Sequence, residues 1–224
     1  MAKKTTAKNA GTAAGNGEAL TAMGAKIALE PIMQVRVTTR LIGKSPLIQH
    51  QWGEKAISMM RDKHAGKKTK NRDVRDPQAE GEAAAYRTEK GAYGVPAMAI
   101  KAAVLGAAHK DLGIEKTLVR KALFLVCDDK GKVLPMDCDE PEIREDTVRV
   151  GMGSADLRYR PYFHRWAVDV TWEIDGTLLR VEDLVNLINR AGFGVGIGEW
   201  RPEKGGEYGR FEVDMTHPVT SSVV

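Results

Sequence analysis

A glycine-rich stretch close to the C-terminal end combines backbone freedom with positive charge. Seven glycines fall between residues 192 and 209, separated by apolar residues such as Val195, Ile197 and Trp200. Glycine permits positive φ angles and close approach to the backbone, so exposed N–H groups beside cations favour an anion such as phosphate. The alternative is a tight turn with a β-bulge that serves packing alone. The candidate phosphate-binding residues are Gly194, Gly196, Gly198, Arg201, Lys204, Gly205, Gly206 and Arg210.

A second cluster, in residues 151–165, alternates cations with aromatic rings. Cations neutralise phosphates and flat rings stack on bases, which are the two contacts that binding of single-stranded nucleic acid requires. The pattern therefore predicts a loop that binds a single strand. The alternative is an exposed loop whose aromatic side chains cover the core. The candidate contacts are Arg158, Tyr159, Arg160 and Arg165, with Tyr162 and Phe163 beside them.

A third candidate is the basic segment 64–80, which has almost no large apolar residues. Such a segment cannot bury enough apolar surface to order itself, so we expect a mobile loop. It either contacts phosphates and orders on binding or is a solvated loop without a binding role. The candidate contacts are Lys67, Lys68, Lys70 and Arg72, with Arg75 on the same loop.

The elements that must position these residues are strands and helices in alternation. β-branched residues predict a first strand at 31–42, and helical spacing predicts helices from about Trp52, at 97–112 and at 181–190. A strand at 121–127 precedes a hairpin turn at 128–132. Strict alternation predicts a strand at 166–174, and another follows at 208–213. These elements indicate an α+β fold with an antiparallel sheet and helices on one face, ferredoxin-like, in one or two fused units.

The order of helix, glycine-rich loop and terminal strand with Gly209-Arg210-Phe211 resembles the RAMP superfamily of CRISPR-associated RNA-binding proteins. The ending is also similar to that of uncharacterised tailed-phage proteins. The resemblance covers residues 166–213 well and the first half only by element order. It implies one or two ferredoxin-like units whose glycine-rich loop, here residues 192–198 and 205–209, lies near RNA. The Tyr/His/Lys triad of some relatives has no obvious counterpart.

Composition and charge limit the partners, domain organisation and location that we expect. The net charge is +4 and the pI about 9.0, which favours a polyanionic partner only weakly. Cys127 and Cys138 lack metal-ligand spacing, and no apolar run approaches a membrane span. We expect a flexible basic tail at 1–28, one domain at 29–214 with halves at 29–150 and 151–214, and a C-terminal tail at 215–224. We also expect a cytoplasmic location, in the host if the protein is phage-encoded, with no cofactor and no metal.

These features lead to three hypotheses. The first is a non-catalytic protein that binds single-stranded RNA or DNA through its backbone and is able to form homo-oligomers. The second is a structural or assembly subunit that binds no nucleic acid. The third is a metal-independent endoribonuclease, in which His50, His64 or His164 would act as the base and Lys101 or Arg165 would stabilise the phosphorane. The first hypothesis accounts for the most residues, and it assigns no catalytic residue.

Overall fold

The computed structural model describes residues 31–67, 74–150 and 153–224, and residues 32–224 form one compact unit. A π-helical turn at Ala191–Val195 and a 3₁₀ turn at Pro202–Lys204 lie in the glycine-rich loop. The strands and helices are β1 (Gln34–Gly43), β2 (Leu47–Ile48), α1 (Glu54–His64), α2 (Pro77–Ala83), β3 (Gly94–Pro96), α3 (Ala97–Leu112), α4 (Lys116–Ala122), β4 (Leu123–Val126), β5 (Val133–Cys138), β6 (Glu142–Val150), β7 (Ser154–Phe163), β8 (Trp166–Asp175), α5 (Val181–Arg190), β9 (Phe211–Val213) and β10 (Thr220–Val223).

The fold is α+β, and its main sheet is antiparallel in the order β10-β1-β8-β5-β3. β9 also pairs with β1, beyond the end of β10, and β4 pairs with β8, beyond the end of β5. The buried side chains of β1 and β8 alternate with exposed ones, as the period of two requires. α3 and α5 contribute Ile100, Val104, Leu184 and Ile188 to the same core. The core therefore lies between this sheet and these two helices.

The two tryptophans of β8 anchor that core. Trp166 and Trp172 are both buried, as expected for residues six positions apart on one face of a strand. Trp172 Nε1 donates a hydrogen bond to Thr39 Oγ1 (3.1 Å), and Trp166 Nε1 donates to the carbonyl oxygen of Ser45 (2.9 Å). Both indole N–H groups are thus satisfied, which is what burial of tryptophan requires.

A second sheet, in the order β2-β7-β6, corrects the prediction of a loop at 151–165. Most of that segment is β7, and part of the acidic sequence before it belongs to β6. The two strands form a long antiparallel ribbon in which Arg144 lies opposite Arg160 and Asp146 lies opposite Arg158. Asp146 compensates these charges, because it pairs with Arg160 across the ribbon and with Arg144 along its own strand.

Three further predictions differ from the structure. β4 and β5 do not form a hairpin, because they pair with successive parts of β8 and not with each other. The strand predicted from Lys121 begins at Leu123, since α4 occupies the preceding residues. The segment 215–224, expected to be a tail, contains β10, which pairs with β1. The helix at 97–112 and its end at Gly113 are confirmed, and Gly113 has the positive φ of 66° that favours glycine.

Candidate nucleic-acid interface

The glycine-rich loop uses its own backbone donors internally. The N–H groups of Gly196, Gly205 and Gly206 donate to the carbonyl oxygens of Ala191 (2.8 Å), Pro202 (2.9 Å) and Arg201 (3.2 Å). A backbone cradle for phosphate needs N–H groups that point outwards and are free to donate. The N–H groups of these three glycines therefore stabilise the loop conformation and are not free to bind phosphate.

Several glycines of the loop are required by close packing of the backbone. A Cβ on Gly206 would overlap the carbonyl oxygen of Trp200, and a Cβ on Gly198 would overlap that of Ile48. Gly194 is different, because its Cβ would meet only the Asp111 carboxylate, at an ordinary 3.5 Å. Close packing of the backbone, the alternative to phosphate binding, thus explains much of the glycine content of this loop.

The three predicted cations of the loop have different environments. Arg201 pairs with Glu203 (2.9 Å) and donates to the carbonyl oxygen of Gly198 (3.1 Å), so it holds the loop together. Lys204 is exposed. The Arg210 guanidinium lies 4.9 Å from the centre of the Phe193 ring, in a cation–π arrangement. Lys204 and Arg210 therefore remain the two candidates in this loop for contact with a ligand.

The β6–β7 ribbon carries a face rich in arginine and tyrosine, which we call the ribbon face. Alternation places Arg158, Arg160 and Tyr162 of β7 on one side, and the register adds Arg144 and Asp146 of β6 to it. Tyr159 lies on the opposite side, where the Arg75 guanidinium lies 5.3 Å from the centre of its ring. The structure thus brings together Arg158 and Arg160 and separates Tyr159 from them.

Arg160 is the buried centre of the ribbon face. It is 4% exposed, its Nη1 lies 3.2 Å from Asp146 Oδ2, and its Nη2 lies 3.6 Å from Glu199 Oε2. Its buried Nε has no hydrogen-bond partner among the residues that the structure describes. A buried donor without a partner costs about 1–3 kcal/mol, so such a donor on this face indicates a place where an additional acceptor would be stabilising.

Arg144 and two tyrosines form the more accessible part of the ribbon face. Arg144 Nε pairs with Asp146 Oδ1 (2.8 Å), and its Nη1 donates to the hydroxyl of Tyr208 (3.0 Å). The rings of Tyr162 and Tyr208 meet edge to face with 6.0 Å between their centres. Asp146 and the Tyr208 hydroxyl hold the pKa of Arg144 above its usual value. Flat rings and a permanent cation are therefore held side by side.

His50 borders the ribbon face and is kept neutral there. Arg158 Nη1 lies 3.2 Å from His50 Nε2, and arginine only donates, so this ring nitrogen accepts. Burial, followed by the positive charges of Arg160 and Arg158, lowers the pKa of His50. The other two histidines considered as bases lie elsewhere, His64 at the end of α1 and His164 beside Glu142 (3.1 Å). They do not assemble into one site.

The remaining predicted contacts lie outside the ribbon face or outside the described residues. Arg165 pairs with Asp139 (2.8 Å) in the turn between β7 and β8. Lys67 pairs with Asp62 (3.0 Å) just after α1. Arg75, expected on a mobile loop, pairs with Glu80 (2.6 Å) and Asp156 (3.1 Å). The residues that fall outside the described ranges are Lys68, Lys70 and Arg72, together with the tail at 1–28.

Arg144, Asp146, Tyr208 and Glu199 were not selected from the sequence as site residues. Arg144 and Asp146 carry no motif that marks them in the sequence, and only the strand register reveals their position. Within residues 31–67, 74–150 and 153–224, no group of His, Cys, Asp and Glu has the arrangement of a metal site. None of the helices in these ranges has the length and apolar character that crossing a membrane requires.

No protein-family model matches the chain, and no curated protein matches it. The interpretation of the site therefore rests on its geometry.

Proposed function

We propose that this protein binds single-stranded nucleic acid on the ribbon face and does not cleave it. The observation that carries the proposal is that three arginines and Tyr162 share one side of the ribbon, with Tyr208 packed against them. The buried Arg160 among them has an Nε without a partner in the described part of the chain. Arginine binds phosphate through planar, directional donors, and tyrosine rings stack on bases of any sequence. This combination suits a strand that is recognised mainly by its backbone.

The accessibility of these groups supports contact with a strand. The side chains of Arg144 and Arg158 are 38% and 32% exposed, so both are partly accessible and partly fixed by neighbours. Their carboxylate partners orient the guanidinium groups without removing all of their donors. Asp146 is shared between Arg144 and Arg160, while Glu199 approaches Arg160 and Asp156 pairs with Arg158. An incoming phosphate would bind the N–H donors that these ion pairs leave free.

We also propose that the fold is ferredoxin-like and resembles that of the RAMP superfamily, and the strand order supports the ferredoxin-like topology. The chain passes from β1 through α3 to β4 and β5, and from β8 through α5 to β9. The spatial order β9-β1-β8-β5 is that of two interleaved β-α-β units. The β6–β7 ribbon is an insertion between β5 and β8. In this arrangement the glycine-rich loop precedes the last core strand and adjoins the ribbon face through Glu199 and Tyr208.

The test compares arginine variants in a binding assay at two salt concentrations. Fluorescence anisotropy with labelled 20-nucleotide RNA and DNA strands, at 50 and 200 mM salt, measures Kd for the parent, Arg144→Gln and Arg158→Gln. We expect each variant to weaken binding of all sequences similarly. Each should also flatten the dependence of log K on log salt by about 0.7 per lost phosphate contact. Arg180→Gln is the matched control, because Arg180 is an exposed, ion-paired arginine at the start of α5.

Two results would overturn the proposal. One is an equal effect of Arg180→Gln and the ribbon variants, which would mean that only net charge matters. The other is the absence of measurable binding to any single strand at 50 mM salt. Labelled RNA incubated with the protein in EDTA should stay intact, since His50 is tied to Arg158 and the three histidines are dispersed. Cleavage would instead favour the endoribonuclease hypothesis.

A further inference from the structure

An open depression of about 900 Å³ lies beside the glycine-rich loop, and none of its lining residues belongs to the ribbon face. The end of α3, the second half of α5 and the π-helical turn surround it. π-Helical turns within helices are rare and are frequent at functional sites, because they displace the side chains that follow. The lining residues are Asp111, Asn186, Asn189, Arg190, Phe193 and Gly194.

Phe193 gives the depression a flat, exposed aromatic wall. Its side chain is 71% exposed, although it stands at the centre of the turn between buried Ala191 and Val195. The Arg210 guanidinium lies 4.9 Å from the ring centre, so a planar cation lies against the ring that lines the depression. A single exposed ring is ordinary on a protein surface. An exposed ring paired with a planar cation at the edge of a depression is a stacking surface for another planar group.

The polar lining contains acceptors and donors of different kinds. Asp111 is an acceptor at neutral pH, and Arg190 is a donor only. Asn189 Oδ1 already accepts from the backbone N–H of Val213 (2.8 Å), so its remaining capacity includes the two donors of its amide nitrogen. Asn186 is exposed and offers both kinds of group. Neighbouring donors and acceptors beside a stacking ring are what distinguish a nucleobase site from a general apolar groove.

We propose that this depression binds one unpaired nucleobase, with preference for guanine. The base stacks on Phe193 and Arg210, and its polar edge faces Asp111 and the asparagines. Guanine offers an amino donor that a carboxylate accepts, together with O6 and N7 acceptors for amide and guanidinium donors. If the base is part of a strand, the inference rests on the proposed function. A free guanine nucleotide has the same chemistry, and the experiment below distinguishes it from a base within a strand.

The glycine-rich loop connects this depression to the ribbon face. Phe193 lies near the beginning of the loop, Glu199 in its middle approaches Arg160, and Tyr208 near its end contacts Arg144. Gly194 keeps the wall of the depression low, since it has no side chain beside Asp111. The same ordered segment thus contributes to both surfaces.

The test varies one base in an otherwise constant strand. Labelled 12-mers of uridine carry guanine, adenine, cytosine or an abasic site at one central position, and anisotropy at 150 mM salt gives each Kd. We expect the guanine strand to bind about tenfold more tightly than the abasic strand, and the adenine and cytosine strands to fall between them. Phe193→Ala should bind all of these strands as weakly as the abasic one, because the stacking ring is lost. Asp111→Asn should reduce the preference for guanine over adenine.

Phe124→Ala provides the matched control. Phe124 is also an exposed phenylalanine, 55% accessible, with the Lys101 ammonium 4.7 Å from its ring centre, and it belongs to β4. The Phe124→Ala variant should still bind the guanine strand more tightly than the abasic strand, by the same factor as the parent. A gain lost equally in Phe124→Ala and Phe193→Ala would overturn the inference. Circular dichroism of each variant verifies folding, and Asp111→Asn, a surface substitution, keeps the test informative if Phe193→Ala unfolds.

The outcomes separate this inference from the proposed function. Equal binding of all four strands, the abasic one included, would retain the ribbon face as a strand-binding surface and refute the base site. If no strand binds, the proposed function fails, and guanosine 5′-monophosphate alone then tests the depression by NMR titration. Shifts centred on Asp111, Phe193 and Gly194 would support a site for the free nucleotide. Their absence at millimolar nucleotide, with no strand bound, would overturn both proposals.

Discussion

Substitution of alanine for Gly192 should destabilise the protein strongly, because the backbone of β9 leaves no room for a side chain. A Cβ at this position would overlap the carbonyl oxygen of Phe211. Phe211 pairs with Gly43 of β1, so β9 cannot retreat without losing this pairing. Overpacking costs about 1–3 kcal/mol, and a lost ladder hydrogen bond costs about 1 kcal/mol more. We therefore expect Gly192→Ala to lower the free energy of unfolding by about 3 kcal/mol.

Gly194→Ala, two residues along the same loop, is the matched variant. Its Cβ would lie 3.5 Å from Asp111 Oδ2, an ordinary contact, and Gly194 does not have a positive φ. We expect a change within about 0.5 kcal/mol. Urea unfolding followed by tryptophan fluorescence reports both values, since Trp166 and Trp172 are buried. If Gly192→Ala loses less than about 1 kcal/mol, or if the two variants lose equal amounts, the packing explanation of the loop is wrong.

Three other predictions concern charged and titratable groups. Asp146→Ala leaves the buried Arg160 guanidinium without its carboxylate, so it should cost about 3–5 kcal/mol, and adding Arg160→Met should recover part of that in urea unfolding. Burial and two arginines lower the pKa of His50 below its usual 6.5, so the unfolded chain takes up the proton first. Stability should consequently fall as pH decreases from 6.5 towards the lowered pKa, and His50→Gln should flatten that fall between pH 7.5 and 5.5. Burial and neighbouring carboxylates raise the pKa of Cys138 to about 11, so iodoacetamide at pH 8 should alkylate it about 100-fold more slowly in the native protein than in urea, as mass spectrometry of the labelled peptide will report.

The elements whose pattern lies within one segment could be predicted from the sequence. β8 alternates strictly and α5 has apolar residues at helical spacing, and both are present at nearly the predicted bounds. β7 was not recognised in the same way. Its polar residues do alternate with apolar and aromatic ones, but Pro161 argues against a strand when the segment is considered alone. Its stability comes from β6, so the evidence for it lies in cross-strand pairs that a single segment does not contain.

The grouping of residues in the candidate site could be predicted only in part, for the same reason. The sequence indicated Arg158 and Arg160, but it could not indicate that Asp146 stands between Arg160 and Arg144.

The hairpin predicted at 128–132 is absent because β8 is long enough to pair with β4 and β5 one after the other. Local turn chemistry was correct there, since Asp129 accepts from the backbone N–H of Val133 (3.2 Å). The pairing of β4 and β5 with β8, and not the turn between them, determines where the two strands lie.

The number of glycines in the loop follows from its shape and not from a phosphate cradle. Its backbone N–H groups donate to carbonyl oxygens of the loop itself and of the neighbouring β2 region, as Glu199 does to Ile48 (2.9 Å) and Gly209 to Pro46 (2.8 Å). Donors used in this way are not available to a phosphate, so we expect the loop to contact nucleic acid mainly through its side chains. Phe193, Trp200, Lys204 and Arg210 are loop side chains that remain accessible or partly accessible for this. The glycines thus allow a long segment to pack tightly enough to hold the Phe193 ring beside the Arg210 guanidinium, an arrangement that suits recognition by stacking and charge.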